Sequence, residues 1–283
     1  MIIDCFSVEN TYLDFAKEGA KQFDELGPNI GCIYPRNDPA AGVYEDAIIA
    51  KSRGFIGVFS SPVNSEAEII KQIKVWNTAS SVHGILVISP PKDMVNPHSL
   101  IVDHKNVEGN DFDDRLDRVS CTARSIIAII AHTLADGKPD KTEKLLEGKN
   151  VVIVGYGKAV GKPLSYLLMR YHVGSVTTIH KYTQPEISRR DLEQADIIVS
   201  ATGIRSLLSR IMLKNEISFG KILLKDKIII DAGITKIGDK IMGDVPPAFV
   251  ENNQVTPVPG GVGAVTTAMI LANTTWAARG LLT

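Results

Sequence analysis

The chain has 283 residues, 44% of them apolar and 22% charged, with a formal net charge of -1. That length suffices for two compact domains, each with its own core, and so even a charge balance offers no basic surface for nucleic acid. No uninterrupted apolar run approaches membrane length, and Met1-Ile-Ile-Asp-Cys5 reaches an acid too soon for a signal peptide, so no membrane partner and a cytoplasmic location are expected. Cys5, Cys32 and Cys121 are odd in number and far apart, which argues against a disulfide framework or a zinc cluster; they are expected to pack as small apolar groups.

In chain order, Met1 to Leu26 begins apolar and continues as a helix with Tyr12, Phe15, Ala16, Ala20 and Phe23 along one stripe. Asn29 to Tyr34 reads as a buried strand broken by Pro35-Arg-Asn-Asp-Pro39, Ala40 to Arg53 as a helix, and Phe55 to Phe59 as a second strand. Ser65 and Glu68 open a helix running to Thr78, and Gly84 to Ser89 is a third apolar strand stopped by Pro90-Pro91. Such alternation predicts an α/β layer on a mostly parallel sheet. Asn96 to Arg118 is polar and irregular, and a loop of that length in a compact domain usually has a role. Cys121 to Leu134 is an apolar helix, and the charged stretch Asp136 to Glu147 marks a crossing into a second domain.

The second domain is organised around Gly148 to Pro163, where the apolar run Val151 to Val154 breaks into a turn holding Gly155, Gly157 and Gly161. A helix follows, with Leu164, Leu167, Leu168 and Tyr171 at helical spacing, and then a strand over Ser175 to His180. Strand, glycine turn and helix in that order form a nucleotide-binding unit in which helical amides face a phosphate. The spacing is one residue longer than the usual fingerprint, so the order of elements carries more weight than the spacing. An acid at the end of the second strand would hold a free ribose 2′-hydroxyl; His180-Lys181 stands there instead, which favours NADP, with NAD possible. Lys181 reads equally as an ordinary solvated loop lysine. Further strands are expected over Ala195 to Ser200 and Lys227 to Ile234, and a buried final helix over Val265 to Leu282.

Asp231-Ala-Gly-Ile234, Gly243-Asp-Val245 and Thr256-Pro-Val-Pro-Gly-Gly-Val-Gly-Ala-Val-Thr266 together resemble the methylenetetrahydrofolate dehydrogenase/cyclohydrolase family. The resemblance runs from about Asn29 to the C-terminus. It implies two α/β domains around a cleft, the second a Rossmann-like parallel sheet, with the C-terminal helix packing back on the first. It places the boundaries at 1–122 plus 265–283 for substrate and 123–264 for dinucleotide, and it implies a homodimer. Matched residue by residue, the cofactor would meet Gly155, Tyr156, Gly157, Lys181, Ile234 and Thr266, and Pro259, Gly260, Gly261, Val262 and Gly263 would line the folate side. The family usually has Gly-Arg-Ser at 155 to 157, so Tyr156 lacks the charge its arginine gives the 2′-phosphate, a charge that Lys181 could restore.

The first domain departs further from the family. Asn37-Asp-Pro-Ala40 and Tyr44 match a motif whose tyrosine packs against the folate, but the cyclohydrolase lysine position is Ile48. Lys51 lies near the same helix face about one turn, ~5.4 Å, too far along, and reads as a solvated helix residue. Val87, Ile88 and Ser89 fall on the family's substrate-lining segment, with Ile88 where a glutamine normally orients the lysine. Lys105-Asn-Val-Glu-Gly109 matches a segment whose acid meets the pterin, so Glu108 and Tyr44 are the nominated reacting-site residues. Ser120-Cys-Thr-Ala123 stands where the family has Pro-Cys-Thr-Pro, and Arg205 to Asp226 is longer than its norm. The expected function is NADP-linked oxidation of the methylene bridge of a reduced folate to methenyl, with cyclohydrolase activity weak or absent. A dehydrogenase for another pterin carrier, such as a methanopterin, and a non-catalytic pterin- or nucleotide-binding paralogue are the alternatives.

Overall fold

The computed structural model describes residues 1–23, 27–91, 93–94, 96–109, 119–136, 141–203, 224–237 and 240–282. Parts of four sequence-based expectations, at 24–26, 110–118, 137–140 and 204–223, lie outside the described residues. The chain divides into two compact α/β units, one of Glu9–Asn110 with Thr266–Thr283 and the other of Met1–Val8 with Asp111–Val265.

The smaller-sheet unit contains most of α1 (Cys5–Ala20), then β1 (Asn29–Pro35), α2 (Pro39–Ser52), β2 (Gly57–Val63), α3 (Glu66–Thr78) and β3 (Gly84–Val87). Its strands are all parallel in the order β2-β1-β3. The central strand is buried through Ile30, Cys32 and Ile33, and Ile69, Ile73, Trp76, Val82 and Ile85 complete the core beneath α3. Asp38 caps α2 by accepting from Ala40 N at 2.9 Å, and Pro39 starts the helix where its missing N–H costs nothing. Ser65 caps α3 in the same way through Glu68 N, while Glu68 reaches back to Asn64 N.

Three details differ from expectation. The buried stripe of α1 runs through Cys5, Glu9, Ala16 and Ala20, while Phe15 is exposed. Strand β2 starts two residues later than Phe55 and continues through Pro62; an edge strand tolerates a proline because one side of its ladder has no partner. Strand β3 stops at Val87, and Ser89 sits at φ +48°, so the chain leaves the sheet sooner than the apolar run suggested.

The larger-sheet unit holds α4 (Cys121–Ala135), α5 (Thr142–Leu146), β4 (Asn150–Val154), α6 (Gly161–Leu168), β5 (Ser175–Ile179), α7 (Pro185–Gln194), β6 (Ile197–Ser200) and β7 (Ile228–Asp231). A small hairpin, β8 (Thr235–Ile237) with β9 (Lys240–Met242), precedes β10 (Gln254–Val255). The main sheet is parallel in the order β10-β7-β6-β4-β5, so the chain reverses its direction of travel between β4 and β6, the point where such sheets bind ligands. Val152, Val154, Ile198 and Ile229 pack with Leu192 into the core that covers one face. Helix α6 ends at Leu168, leaving Tyr171 outside it, and β7 ends at Asp231 rather than Ile234.

The final helix, α8 (Val262–Ala278), is longer at its N-terminus than expected and ends earlier. From Thr266 it belongs to the smaller-sheet unit, where Asn273 Nδ2 donates to Val107 O at 2.8 Å and Thr275 packs on α1 at Gly19. All three cysteines are buried and none is in a disulfide, as expected of small apolar groups. No helix among the described residues is long and apolar enough to cross a membrane.

Candidate functional site

In the larger-sheet unit, the turn between β4 and α6 has the geometry a phosphate needs. Gly155 stands at φ +110°, and a side chain there would strike the carbonyl of Ala201 at the end of β6. A Cβ on Gly161 would strike Gly155 O, so helix and turn approach as closely as backbone allows. A Cβ on Gly157 would meet no protein atom, which leaves open space beside the turn. These features fit a dinucleotide whose pyrophosphate lies against the start of α6.

Tyr156, half exposed, and His180 border an open groove of about 530 Å³ that continues along Ser165, Tyr166, Met169, Val176 and Thr178. Lys162 Nζ lies 5.6 Å from the Tyr156 ring centroid, and Lys181 Nζ lies 4.9 Å from that of Tyr182. Lys162 therefore sets a cation over a ring that borders the groove, one that sequence reasoning had not singled out, and Lys181 directly follows the groove residue His180. The signal for Lys162 was its place in the first turn of α6, where a lysine opposes the helix dipole and calls for an anion to justify it. Ile234, 64% exposed just beyond β7, offers its backbone at the neighbouring turn. Thr266 is buried in α8.

In the smaller-sheet unit Ile48, where the resemblance places the family's lysine, is completely buried. Lys51 is not a solvated lysine: its ammonium forms an ion pair with Glu9 of α1, itself nearly buried. Tyr44 is half-buried one helical turn before Ile48. Beside it, Glu45 is buried and faces β1, where Tyr34 donates to it; that bond raises the Tyr34 phenol above its ordinary range. Glu45 Oε1 has no partner, and burial together with this carboxylate raises the Cys32 thiol as well. Sequence reasoning missed the Tyr34–Glu45 pair because Glu45 reads as an ordinary helix acid.

Of the segment Val87 to Ser89, only Ser89 is exposed; Val87 and Ile88 are core residues, because β3 is covered on both faces. Ile88 N donates to Ile33 O at 2.8 Å, and His98 donates to the Val87 carbonyl. His98 Nδ1 is buried with no partner, and burial pushes this imidazole down to about 4. Lys105 is also buried: its ammonium donates to Trp76 O at 2.9 Å and Ala79 O at 2.7 Å, closing the C-terminus of α3, and burial lowers its pKa. Asn106 Oδ1 accepts from Gly109 N at 3.0 Å, so the loop presenting half-buried Glu108 is fixed on either side of that residue. Pro259 follows a cis peptide bond, and Gly260 stands at φ +93° in the turn that leads into α8.

A parallel sheet with a reversal point, a glycine turn at the first βα junction and cations beside it define a nicotinamide-dinucleotide-binding α/β enzyme. Residues 120–281 match the model of the tetrahydrofolate dehydrogenase/cyclohydrolase NAD(P)-binding domain. The bifunctional FolD protein of Thermosipho africanus is 34% identical over 226 residues, covering 74% of this chain and 72% of that protein. Among solved structures, the FolD dehydrogenase/cyclohydrolase of Campylobacter jejuni superposes with a TM-score of 0.79 at 25% identity over 99% of each chain. A 5,10-methylenetetrahydrofolate dehydrogenase from the silkworm Bombyx mori does so at 0.77 and 26%, over 99% of this chain and 98% of that one. The chain belongs to the tetrahydrofolate dehydrogenase/cyclohydrolase family of folate one-carbon enzymes.

Proposed function

We propose that this chain is an NADP-linked methylenetetrahydrofolate dehydrogenase in which hydrolysis of the methenyl product is weak or absent. The observation that carries the reading is Ile48, fully buried where the resemblance places the hydrolytic lysine, together with the capture of Lys51 by Glu9. Position 48 carries no amine, and the amine of Lys51 is held by Glu9. Removal of hydride from a methylene bridge needs no strong acid or base at the carbon, so it survives that loss.

In this reading residues 123–264 hold the dinucleotide, and residues 1–122 with 265–283 hold the folate. The dinucleotide, when bound, supplies the hydride acceptor. Gly155, Gly157 and the start of α6 bind its pyrophosphate, Tyr156 offers a face to the adenosine half, and Lys181 with Lys162 attracts the ribose 2′-phosphate. Ile234 and Thr266 hold the nicotinamide end. Tyr44 orients the pterin ring, Glu108 accepts from its amine donors, and Ser89 with Pro259 to Gly263 lines the folate and keeps water from the bridge. A homodimer, which the resemblance implies, is checked by light scattering in solution.

Purified protein mixed with methylenetetrahydrofolate and NADP, or separately NAD, should accumulate the methenyl product, read by its absorbance. Rapid passage to the formyl carrier would refute the loss of hydrolysis. Turnover only with a methanopterin carrier would move the substrate assignment, and tight binding without turnover on either carrier would make the protein a binding paralogue.

A further inference from the structure

The motif Gly243-Asp-Val245 has so far no role, yet its aspartate is completely buried and sits among more donors than most carboxylates meet. Asp244 Oδ2 accepts from Ser200 Oγ at 3.0 Å, from Thr202 N at 2.8 Å and from Thr202 Oγ1 at 2.8 Å. Its other oxygen has no hydrogen-bond partner and lies where a Cβ on Gly233 would be. Asp231, at the end of β7, does the converse. Its carboxylate accepts from Gly233 N and Asp244 N, each at 3.0 Å, and from Val245 N at 2.9 Å, and it occupies the place of a Cβ on Gly243. Each aspartate thus packs on the glycine beside the other. Neither glycine can bear a side chain, so the segments 231–233 and 243–245 lock together across the β8–β9 hairpin.

Two turns of the proposed dinucleotide site meet at this lock. Gly233 leads directly into Ile234. Thr202, which Asp244 holds by both backbone and hydroxyl, packs its methyl 3.2 Å from where a Cβ on Gly155 would be, in the phosphate turn. Thr235 Oγ1 closes the circuit by donating to Gly203 O at 3.1 Å. A buried carboxylate with an unshared oxygen is a costly group to keep for packing alone; an asparagine would accept the same three bonds without the charge and set an NH2 against Gly233, and a leucine would accept none of them.

We propose that Asp244 is a positioning residue for the nicotinamide dinucleotide, tying the turn after β6 to the turn after β7 so that the phosphate-binding and nicotinamide-binding backbones keep one fixed spacing. This role rests on the dinucleotide site proposed above. Asp244 does not touch the reacting atoms; it acts through Thr202 and Gly233.

The test compares the full chain with Asp244→Asn and with the milder Thr202→Val, which removes a single hydroxyl donor. Binding of NADP and of NAD is measured by titration calorimetry, alongside thermal melting and hydrogen exchange of the amides of Thr202, Gly233 and Val245 without ligand. Asp244→Asn should weaken NADP binding about tenfold or more, raise the KM for dinucleotide more than it lowers kcat, and speed exchange at those amides. Thr202→Val should shift binding in the same direction by a smaller factor. Unchanged affinity in folded Asp244→Asn, with only a lower melting temperature, would overturn the positioning role and leave a structural one. If Asp244→Asn fails to fold, Thr202→Val decides, and unchanged affinity there overturns the proposal. A wild-type chain that binds neither NADP nor NAD would instead overturn the dinucleotide reading, and this role with it.

Discussion

His98 gives the smaller-sheet unit a dependence on pH that can be worked out in advance. The imidazole donates to Val87 O from one nitrogen while the other, Nδ1, is buried without a partner, so a second proton would have no acceptor. Burial lowers the folded-state pKa from 6.5 to about 4. Between those values the unfolded chain binds a proton that the folded chain excludes, so stability falls as pH falls. The contribution is complete above pH 6.5 and lost progressively toward pH 4, amounting to about 3 kcal/mol in all and about 2 kcal/mol by pH 5, at about 1.4 kcal/mol per pH unit. His98→Gln keeps a donor for Val87 O and does not titrate. Urea unfolding of both proteins from pH 7.5 to pH 4.2 should show the wild type losing about 3 kcal/mol relative to the variant. A stability difference that stays flat across that range would refute the reasoning. So would an NMR titration in which the His98 ring protonates near pH 6.5.

Other side chains yield sharper tests of single contacts. Lys51→Met should cost about 2 kcal/mol by leaving the Glu9 carboxylate buried without its cation, with dehydrogenase kcat unchanged; the double variant Glu9→Leu/Lys51→Met should regain most of it. A fall in turnover without a fall in stability would mean Lys51 acts in catalysis after all. Lys105→Met removes both donors that close α3 and should lower stability by about 2 kcal/mol in chemical denaturation, and a change below about 0.5 kcal/mol would contradict the capping role. Lys181→Ala should reduce the NADP-over-NAD ratio of kcat/KM about tenfold, and Tyr156→Arg should raise it by a similar factor. Equal ratios in all three proteins would place the 2′-phosphate elsewhere.

Much of the architecture was legible in the residues because local chemistry and tertiary need agreed. Val151 to Val154 is apolar on both faces, which only a doubly covered parallel strand requires, and it forms most of β4, an interior strand between β6 and β5. Ser65 with Glu68 announces a helix start whose cap forms as written, while Asp38 and Pro39, read as part of a turn, instead cap and begin α2. Strand ends were less legible, since an apolar run does not say where its neighbour stops. Gly84 to Ser89 and Lys227 to Ile234 both leave the sheet early, at Val87 and Asp231: β6 ends opposite Asp231 and a turn with its own hydrogen bonds takes over, whereas β1 runs two residues past its pairing with Val87.

The sequence by itself determined the family and the glycine turn, because each depends on residue type at a fixed place along the chain. Only the tertiary structure decided what the polar residues do. Lys51 and Glu9 are 42 residues apart, Asn273 and Val107 166, and Ser200 and Asp244 44, so no local pattern could have paired them. Burial decides the rest: the same glutamate, histidine or aspartate is a solvated surface charge on one face of an element and an anchored, partner-dependent group on the other. Glu45, His98 and Asp244 are of the second kind because the core closes over them.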